Sequence, residues 1–212
     1  MATTLQLYDT TQYLINKYDG SFLSTDEFLQ AYNLASNDYY NYLIDSAYSV
    51  MTRTNTFSTP TNSDNQVIET LSPFTIFEQA ISSPYTKPAD FGRVIYIKSA
   101  YSGGAQATAP SPTRIDLVEL DNKINSAIDP PIPTDPIYVE VSGGFLIYPS
   151  TPTSVWITYY KKPIKQTAVD ATVVEWADNK VNNVLFRVLG YLGINLKDPG
   201  LIQFGNIKKV DA

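Results

Sequence analysis

The sequence predicts an α+β fold, in which N- and C-terminal helices pack as a small bundle and an antiparallel β-sandwich or meander is inserted between them. Apolar side chains recur at helical spacing in the first fifty residues and again after residue 176. From about residue 74 to residue 160 they alternate over short runs, as in half-buried strands. We therefore predict N-terminal helices over residues 1–52, an antiparallel β unit with long loops over 53–165, and C-terminal helices over 166–212 that complete the bundle.

The N-terminal region predicts two helices. The first is capped by Asp9 or Thr10 and ends at Gly20. The second begins at Ser24, because Ser24 and Glu27 have the spacing of a capping box, in which each side chain binds the other residue's backbone amide. An apolar stripe on this helix predicts a core or subunit-interface face, with an aromatic ligand cage as the weaker alternative. The stripe consists of Phe28, Ala31, Tyr32, Ala35, Tyr39, Tyr42 and Leu43.

The middle of the chain predicts short strands joined by turns. Residues 52–65 are rich in Thr, Asn, Ser and Pro and predict a loop, and residues 101–112 predict an exposed hairpin tip. Gly143 and the residues beside it predict a tight hairpin turn, because glycine adopts positive φ without steric cost. A helical turn is predicted over residues 120–128. The predicted strands are 94–98, 114–117, 137–141, 144–148 and 155–160.

The C-terminal region predicts one long helix and one short helix. Gly193 lies just past the apolar stripe of the long helix and predicts its C-cap. Asp198 and the proline after it predict the start of a terminal helix that runs through Phe204. The stripe of the long helix consists of Val181, Val184, Leu185, Val188, Leu189 and Leu192.

Composition excludes most catalytic chemistry. The chain contains neither Cys nor His, so it has no thiol nucleophile, no Ser-His-Asp triad and none of the commonest zinc ligands. No phosphate-binding glycine loop and no calcium-loop spacing is present. A pair of catalytic carboxylates distant in sequence is neither supported nor excluded. We expect a protein that is not an enzyme and that takes no cofactor and no metal.

Charge is distributed unevenly along the chain. Residues 1–80 hold two basic and nine acidic side chains, whereas residues 81–212 hold thirteen basic and twelve acidic ones. This asymmetry suits head-to-tail stacking through unlike faces, and a chance distribution is the equal alternative. Sequence-specific binding of nucleic acid needs clustered Lys and Arg, and the densest cluster (Lys161, Lys162 and Lys165) is too small for it.

Hydropathy and the N-terminal residues bear on localisation. No stretch approaches the roughly 18 apolar residues of a spanning helix. The first residues lack the basic start and apolar run of a signal peptide. We expect a protein that stays in a cytoplasm, or is assembled there into a particle, and that has no membrane partner.

Three stretches together resemble one family. Residues 24–29, with Asn33 and Ala35, resemble the N-terminal helix common in small virion proteins of tailed phages. Residues 147–163 are similar to the end of the β unit in head-to-tail connector proteins. Residues 176–204 resemble the C-terminal helix pair of the same proteins, above all the ring or adaptor proteins of crAss-like phages.

The resemblance implies a virion structural protein at the head-to-tail junction of a tailed double-stranded DNA phage. About twelve copies would form a ring beneath the portal protein, contact other tail proteins and continue the channel through which DNA passes. The acidic N-terminal part would line the channel, and the segment from Asp198 onward would dock on the portal or a neighbouring copy. The expected interface residues are Tyr32, Tyr39, Trp176, Asp198, Phe204, Lys208 and Lys209.

Two other classes of function stay open. A tail-associated binding module would recognise a cell-surface glycan or attach a tail fibre, and it would need an exposed aromatic platform. Tyr101 and the two tryptophans are the candidates for that platform. A carboxylate-dependent hydrolase would need two acidic side chains on the order of 5–10 Å apart in a cleft.

Overall fold

The computed structural model describes residues 2–18, 22–54 and 62–196, and it has the predicted α+β fold. Helices lie at both ends of this region, and two three-stranded sheets lie between them. The helices are α1 (Thr4–Tyr18), α2 (Thr25–Thr54), α3 (Asn62–Leu71), α4 (Leu120–Ile124) and α5 (Asp178–Leu196). The strands are β1 (Thr75–Ile81), β2 (Phe91–Ala100), β3 (Thr113–Arg114), β4 (Ile137–Val141), β5 (Gly144–Tyr148) and β6 (Ser154–Lys161).

The chain divides into two compact units. The helical unit combines Met1–Phe74 with Lys162–Ala212, and the β unit is Thr75–Lys161. The units therefore change at residues 75 and 162, whereas the sequence prediction changes at residues 53 and 166. The β unit is thus an insertion within the helical unit.

The helical unit is built on α2, which packs against both α3 and α5. The predicted stripe of α2 is buried except for Tyr42, which is 43% exposed. The stripe of α5 is buried except for Leu185, which is half-buried. Helix α5 continues through Gly193 to Leu196, so the predicted C-cap at Gly193 is wrong.

The N-terminal segment closes the helical unit against a distant part of the chain. The backbone amides of Thr4 and Leu5 donate to the carbonyls of Thr172 and Asp170, at 3.1 and 2.9 Å. In return, the amide of Val174 donates to the carbonyl of Ala2 at 3.0 Å. The first residues of the chain are therefore held by residues 170–174.

Two helix starts differ in how well the sequence predicts them. The capping box of α2 is confirmed: the Ser24 amide donates to Glu27 Oε2 at 3.1 Å, and the Glu27 amide donates to Ser24 Oγ at 3.3 Å. The predicted start of α1 at Asp9 or Thr10 is wrong. Thr3 and Gln6 form a second capping box, with amide-to-side-chain distances of 3.0 and 3.2 Å, and α1 begins at Thr4.

The predicted loop over residues 52–65 overlaps two helices in the structure. Residues 52–54 belong to α2, and α3 begins at Asn62. Gly20 and the predicted helix from Asp198 to Phe204 lie outside the described residues.

The β unit consists of two sheets that share one core. The first sheet has the order β1-β6-β2 and is antiparallel. The second has the order β3-β4-β5, in which β3 is parallel to β4 and β5 is antiparallel to it. Buried side chains of both sheets belong to one hydrophobic cluster, as in a small sandwich. Those side chains are Phe91, Ile97, Val155, Ile157 and Tyr159 of the first sheet and Tyr138, Phe145 and Ile147 of the second.

Four of the five predicted strands are confirmed, one is shorter than predicted, and one observed strand was not predicted. The predicted strand over residues 114–117 ends at Arg114, because a turn begins where the Glu119 amide donates to the Asp116 carbonyl. Strand β1 was not assigned from the sequence. A bulge shifts its register between Ile76 and Gln79, so its side chains do not alternate with period two.

Candidate interaction surface

An aromatic cluster forms the centre of the helical unit. The Trp176 ring lies 4.6 Å from the Phe74 ring and 5.0 Å from the Tyr39 ring, measured between centroids. Its indole Nε1–H donates to Ser36 Oγ at 2.8 Å. This bond satisfies the one polar atom of a side chain that is 2% exposed. The cluster joins α2, the turn before β1 and the segment before α5.

A buried cation lies beside this cluster. The Arg187 guanidinium carbon is 4.6 Å from the centre of the Tyr39 ring, and Arg187 Nε is 3.5 Å from an Asp38 carboxylate oxygen. Asn183 Nδ2 donates to the Tyr39 hydroxyl at 2.9 Å. Burial is the main cause that raises the pKa of Tyr39, so its hydroxyl stays protonated at neutral pH.

Three of the predicted interface residues are described, and all three are buried in the single chain. Tyr32, Tyr39 and Trp176 are 3%, 2% and 2% exposed. Burial also raises the pKa of Tyr32. Their part at a subunit interface stays a prediction. The other predicted interface residues lie outside the described part of the chain: Asp198, Phe204, Lys208 and Lys209.

A groove of about 620 Å³ runs along the outer face of α2, and we call it the α2 groove. One wall is α2 from Asp26 to Asn37, and the other is the segment from Lys165 to Thr167. Asn33 joins the two walls, since its side-chain amide donates to the Gln166 carbonyl and accepts from the Gln166 amide, both at 2.9 Å. Leu34 lies in the groove and is 56% exposed.

A basic segment, residues 162–165, borders the α2 groove. Lys162 and Lys165 are exposed, and Ile164 between them is 60% exposed. The Ile164 amide donates to a Glu175 carboxylate oxygen at 2.7 Å. This bond and the Asn33 pairing fix the backbone on both sides of Lys165, so the segment presents its side chains outward from a fixed backbone.

An acidic loop, residues 115–135, projects from the second sheet of the β unit. It holds five acidic residues and one basic residue. Buried Leu120 and partly buried Ile124 pack on Ile137 and Val139 and anchor its base. Four apolar side chains of the loop face solvent instead. They are Leu117, Val118, Ile128 and Ile132, exposed by 60%, 89%, 97% and 47%.

The described residues show neither a metal site nor a membrane span. Within residues 2–18, 22–54 and 62–196, no three acidic, His or Cys side chains are grouped so that they could hold a metal ion. Among the helices in that part of the chain, none is long and apolar enough to cross a membrane.

Two comparisons with known proteins identify neither a family nor a relative. No protein-family model matches the chain, and no curated protein has a significantly similar sequence.

Proposed function

We propose that this chain is a virion structural protein, one subunit of a ring that joins the head of a tailed DNA phage to its tail. About twelve copies would form the ring beneath the portal protein and extend the DNA channel. The function is mechanical, and the subunit supplies a stiff helical unit, a β unit and surfaces for neighbouring copies.

One observation carries the proposal. Two of the stretches that resemble connector proteins belong to parts of the chain that pack together in the helical unit: residues 24–35 lie at the start of α2, and the region from Trp176 onward includes α5, which packs against α2. Trp176 bonds to Ser36, one residue after the first stretch, and its ring contacts Tyr39. Support also comes from the remaining stretch, residues 147–163. It includes the last two residues of β5 and all of β6, the central strand of its sheet.

Exposed carboxylates of the helical unit would give the proposed channel an acidic surface. Asp9, Glu27, Asp45 and Glu69 are exposed carboxylates of the helical unit. If they face the channel, they repel the phosphates of passing DNA, and the duplex slides without being held. A ring whose exposed N-terminal carboxylates lie on its outer wall would contradict this part of the proposal.

Cryo-microscopy of intact particles, with mass spectrometry of their proteins, tests the proposed function. We expect about as many copies of this chain as of the portal protein, and density for its α+β fold between the portal and the tail. A chain that is absent from particles, or that lies at the tail tip in few copies and binds glycan, would overturn the ring and favour a binding module.

A further inference from the structure

We propose that the acidic loop of one copy docks in the α2 groove of the next copy, beside that copy's basic segment. The inference rests on the proposed function, in which copies lie side by side, and it names the surfaces that join them. The occupant of the groove is thus a second copy of this chain.

Exposed apolar side chains on both surfaces support this contact. Val118 and Ile128 are 89% and 97% exposed, although each belongs to a loop whose base is anchored by buried residues. On the other surface, Leu34 and Ile164 are 56% and 60% exposed. Covering such a group of apolar side chains with protein removes their surface from water and favours association.

Charge complementarity selects the partner. The acidic loop has a net charge of −4 from five acidic residues and one basic residue. Lys162 and Lys165 of the basic segment flank Ile164 and are exposed. Two acidic loops would repel each other, so the loop favours the basic segment of another copy over its own counterpart.

Both surfaces are fixed before they meet. The Asn33 pairing with Gln166 and the bond from Ile164 to Glu175 hold the groove and the basic segment. The sheet core holds the base of the loop. This anchoring reduces the conformational entropy that is lost on docking, which lowers the free-energy cost of association.

The two surfaces are different parts of the chain, so the contact is heterologous. Each copy offers one loop and one groove, and a series of such contacts closes into a ring when the rotation between copies allows it. The contact thus predicts cyclic rather than two-fold assembly.

Cross-linking tests the contact, because the chain has no cysteine of its own. Leu34→Cys and Val118→Cys would be purified separately, mixed and treated with a short bis-maleimide. We expect a covalent dimer in the mixture and at most a trace with either variant alone. Asn16→Cys, at an exposed position on α1, replaces Leu34→Cys as the matched control and should give no dimer with Val118→Cys. A mixture of Leu34→Cys and Val118→Cys that stays monomeric would overturn the inference.

A charge swap provides the second test. Lys162→Glu with Lys165→Glu should weaken cross-linking on the order of tenfold. Asp116→Lys with Glu119→Lys, placed on the Val118→Cys chain, should restore it. Cross-linking that is insensitive to both double substitutions would contradict the proposed contact.

These outcomes are separate from the test of the proposed function. Cross-linking with no copies in virions would support the contact and overturn the connector ring. A ring seen in virions without cross-linking between these positions would support the connector ring and overturn the contact.

Discussion

Gly143 and Gly144 are neighbours in one hairpin turn, yet their surroundings differ. A Cβ at Gly144 would lie 2.5 Å from the Tyr85 carbonyl oxygen, whereas a Cβ at Gly143 would meet nothing within 4 Å. Gly144→Ala should therefore lower the free energy of unfolding by about 2 kcal/mol or more, and Gly143→Ala should change it by less than about 0.5 kcal/mol. Urea denaturation followed by circular dichroism measures both. Equal losses for the two variants would contradict the close approach of Tyr85.

Ser36 is a second residue whose contribution to stability can be tested. Ser36→Ala would leave the Trp176 indole N–H buried without its acceptor, and we expect a loss of about 1–3 kcal/mol of stability. Ser49→Ala, at an exposed position on the same helix, is the control and should lose less than about 0.5 kcal/mol. Urea denaturation compares the two. A Ser36→Ala variant as stable as the control would show that the indole finds another acceptor.

At the scale of one element, the start of α2 is expected to respond to pH. Hydrogen bonds from the Ser24 hydroxyl and amide lower the pKa of Glu27 below its ordinary value of 4.5. The stabilisation by Glu27 is therefore complete above pH 4.5 and is lost as the pH falls through the lowered folded-state pKa. Denaturation between pH 7 and pH 3 should show this loss in the native chain and a smaller one in Glu27→Gln. Ser24→Ala should cost about 1 kcal/mol at pH 7. Parallel pH profiles for the native chain and Glu27→Gln would contradict the assignment.

The bulge in β1 holds a strained residue in place. Glu78 has a φ of 49°, and its carboxylate accepts hydrogen bonds from Lys98, Tyr96 and Gln106. Glu78→Ala and Glu78→Gly both delete these bonds, but only alanine retains the cost of positive φ. We expect Glu78→Gly to be more stable than Glu78→Ala by about 1 kcal/mol, as measured by thermal and urea unfolding. The opposite order would show that residue 78 is not held in the left-handed region.

Elements were predictable where their signals are local. The Ser24 capping box and the strands around Gly143 are set by residues within a few positions of each other. Strand β1 was missed because its bulge breaks the alternation, and the full length of α2 depends on packing against α3 and α5. The start of α1 had a local signal, since Thr3 and Gln6 have capping-box spacing, and a search of the first residues for that spacing would have found it.

The candidate surface was much less predictable than the fold. Its groove joins Asn33 to Gln166 across 133 positions, and no periodicity encodes such a pairing. Tyr32, Tyr39 and Trp176, which were predicted as interface residues, are buried in the helical unit. Leu34 and Ile128, which the structure leaves exposed, would have drawn notice only as large apolar side chains off the buried stripes.

At the scale of the whole molecule, the inserted β unit begins and ends at one place. Thr75 pairs with Tyr160 across β1 and β6, so its two ends are adjacent. We expect a chain that joins Phe74 to Lys162 through a short Gly-Ser linker to fold into a helical protein, and residues 75–161 to fold alone. Circular dichroism and cooperative unfolding check both. Removing residues 137–161 from the isolated β unit deletes β4, β5 and the central strand β6 and should leave that unit unfolded, whereas unfolding of the linked helical chain would refute independence of the units.

The pairing of residues 2–5 with residues 170–174 has a consequence for synthesis on the ribosome. The helical unit begins first but is completed last, because its two parts flank the β unit in the chain. The β unit is continuous and can fold as soon as residue 161 has emerged. Between Thr54 and Leu196 the ribosome adds about 140 residues, which at about 5–20 residues per second takes roughly 7–28 s. For that time the aromatic stripe of α2 lacks its partner α5, so a chaperone that binds exposed aromatic segments would act on the nascent chain at this helix.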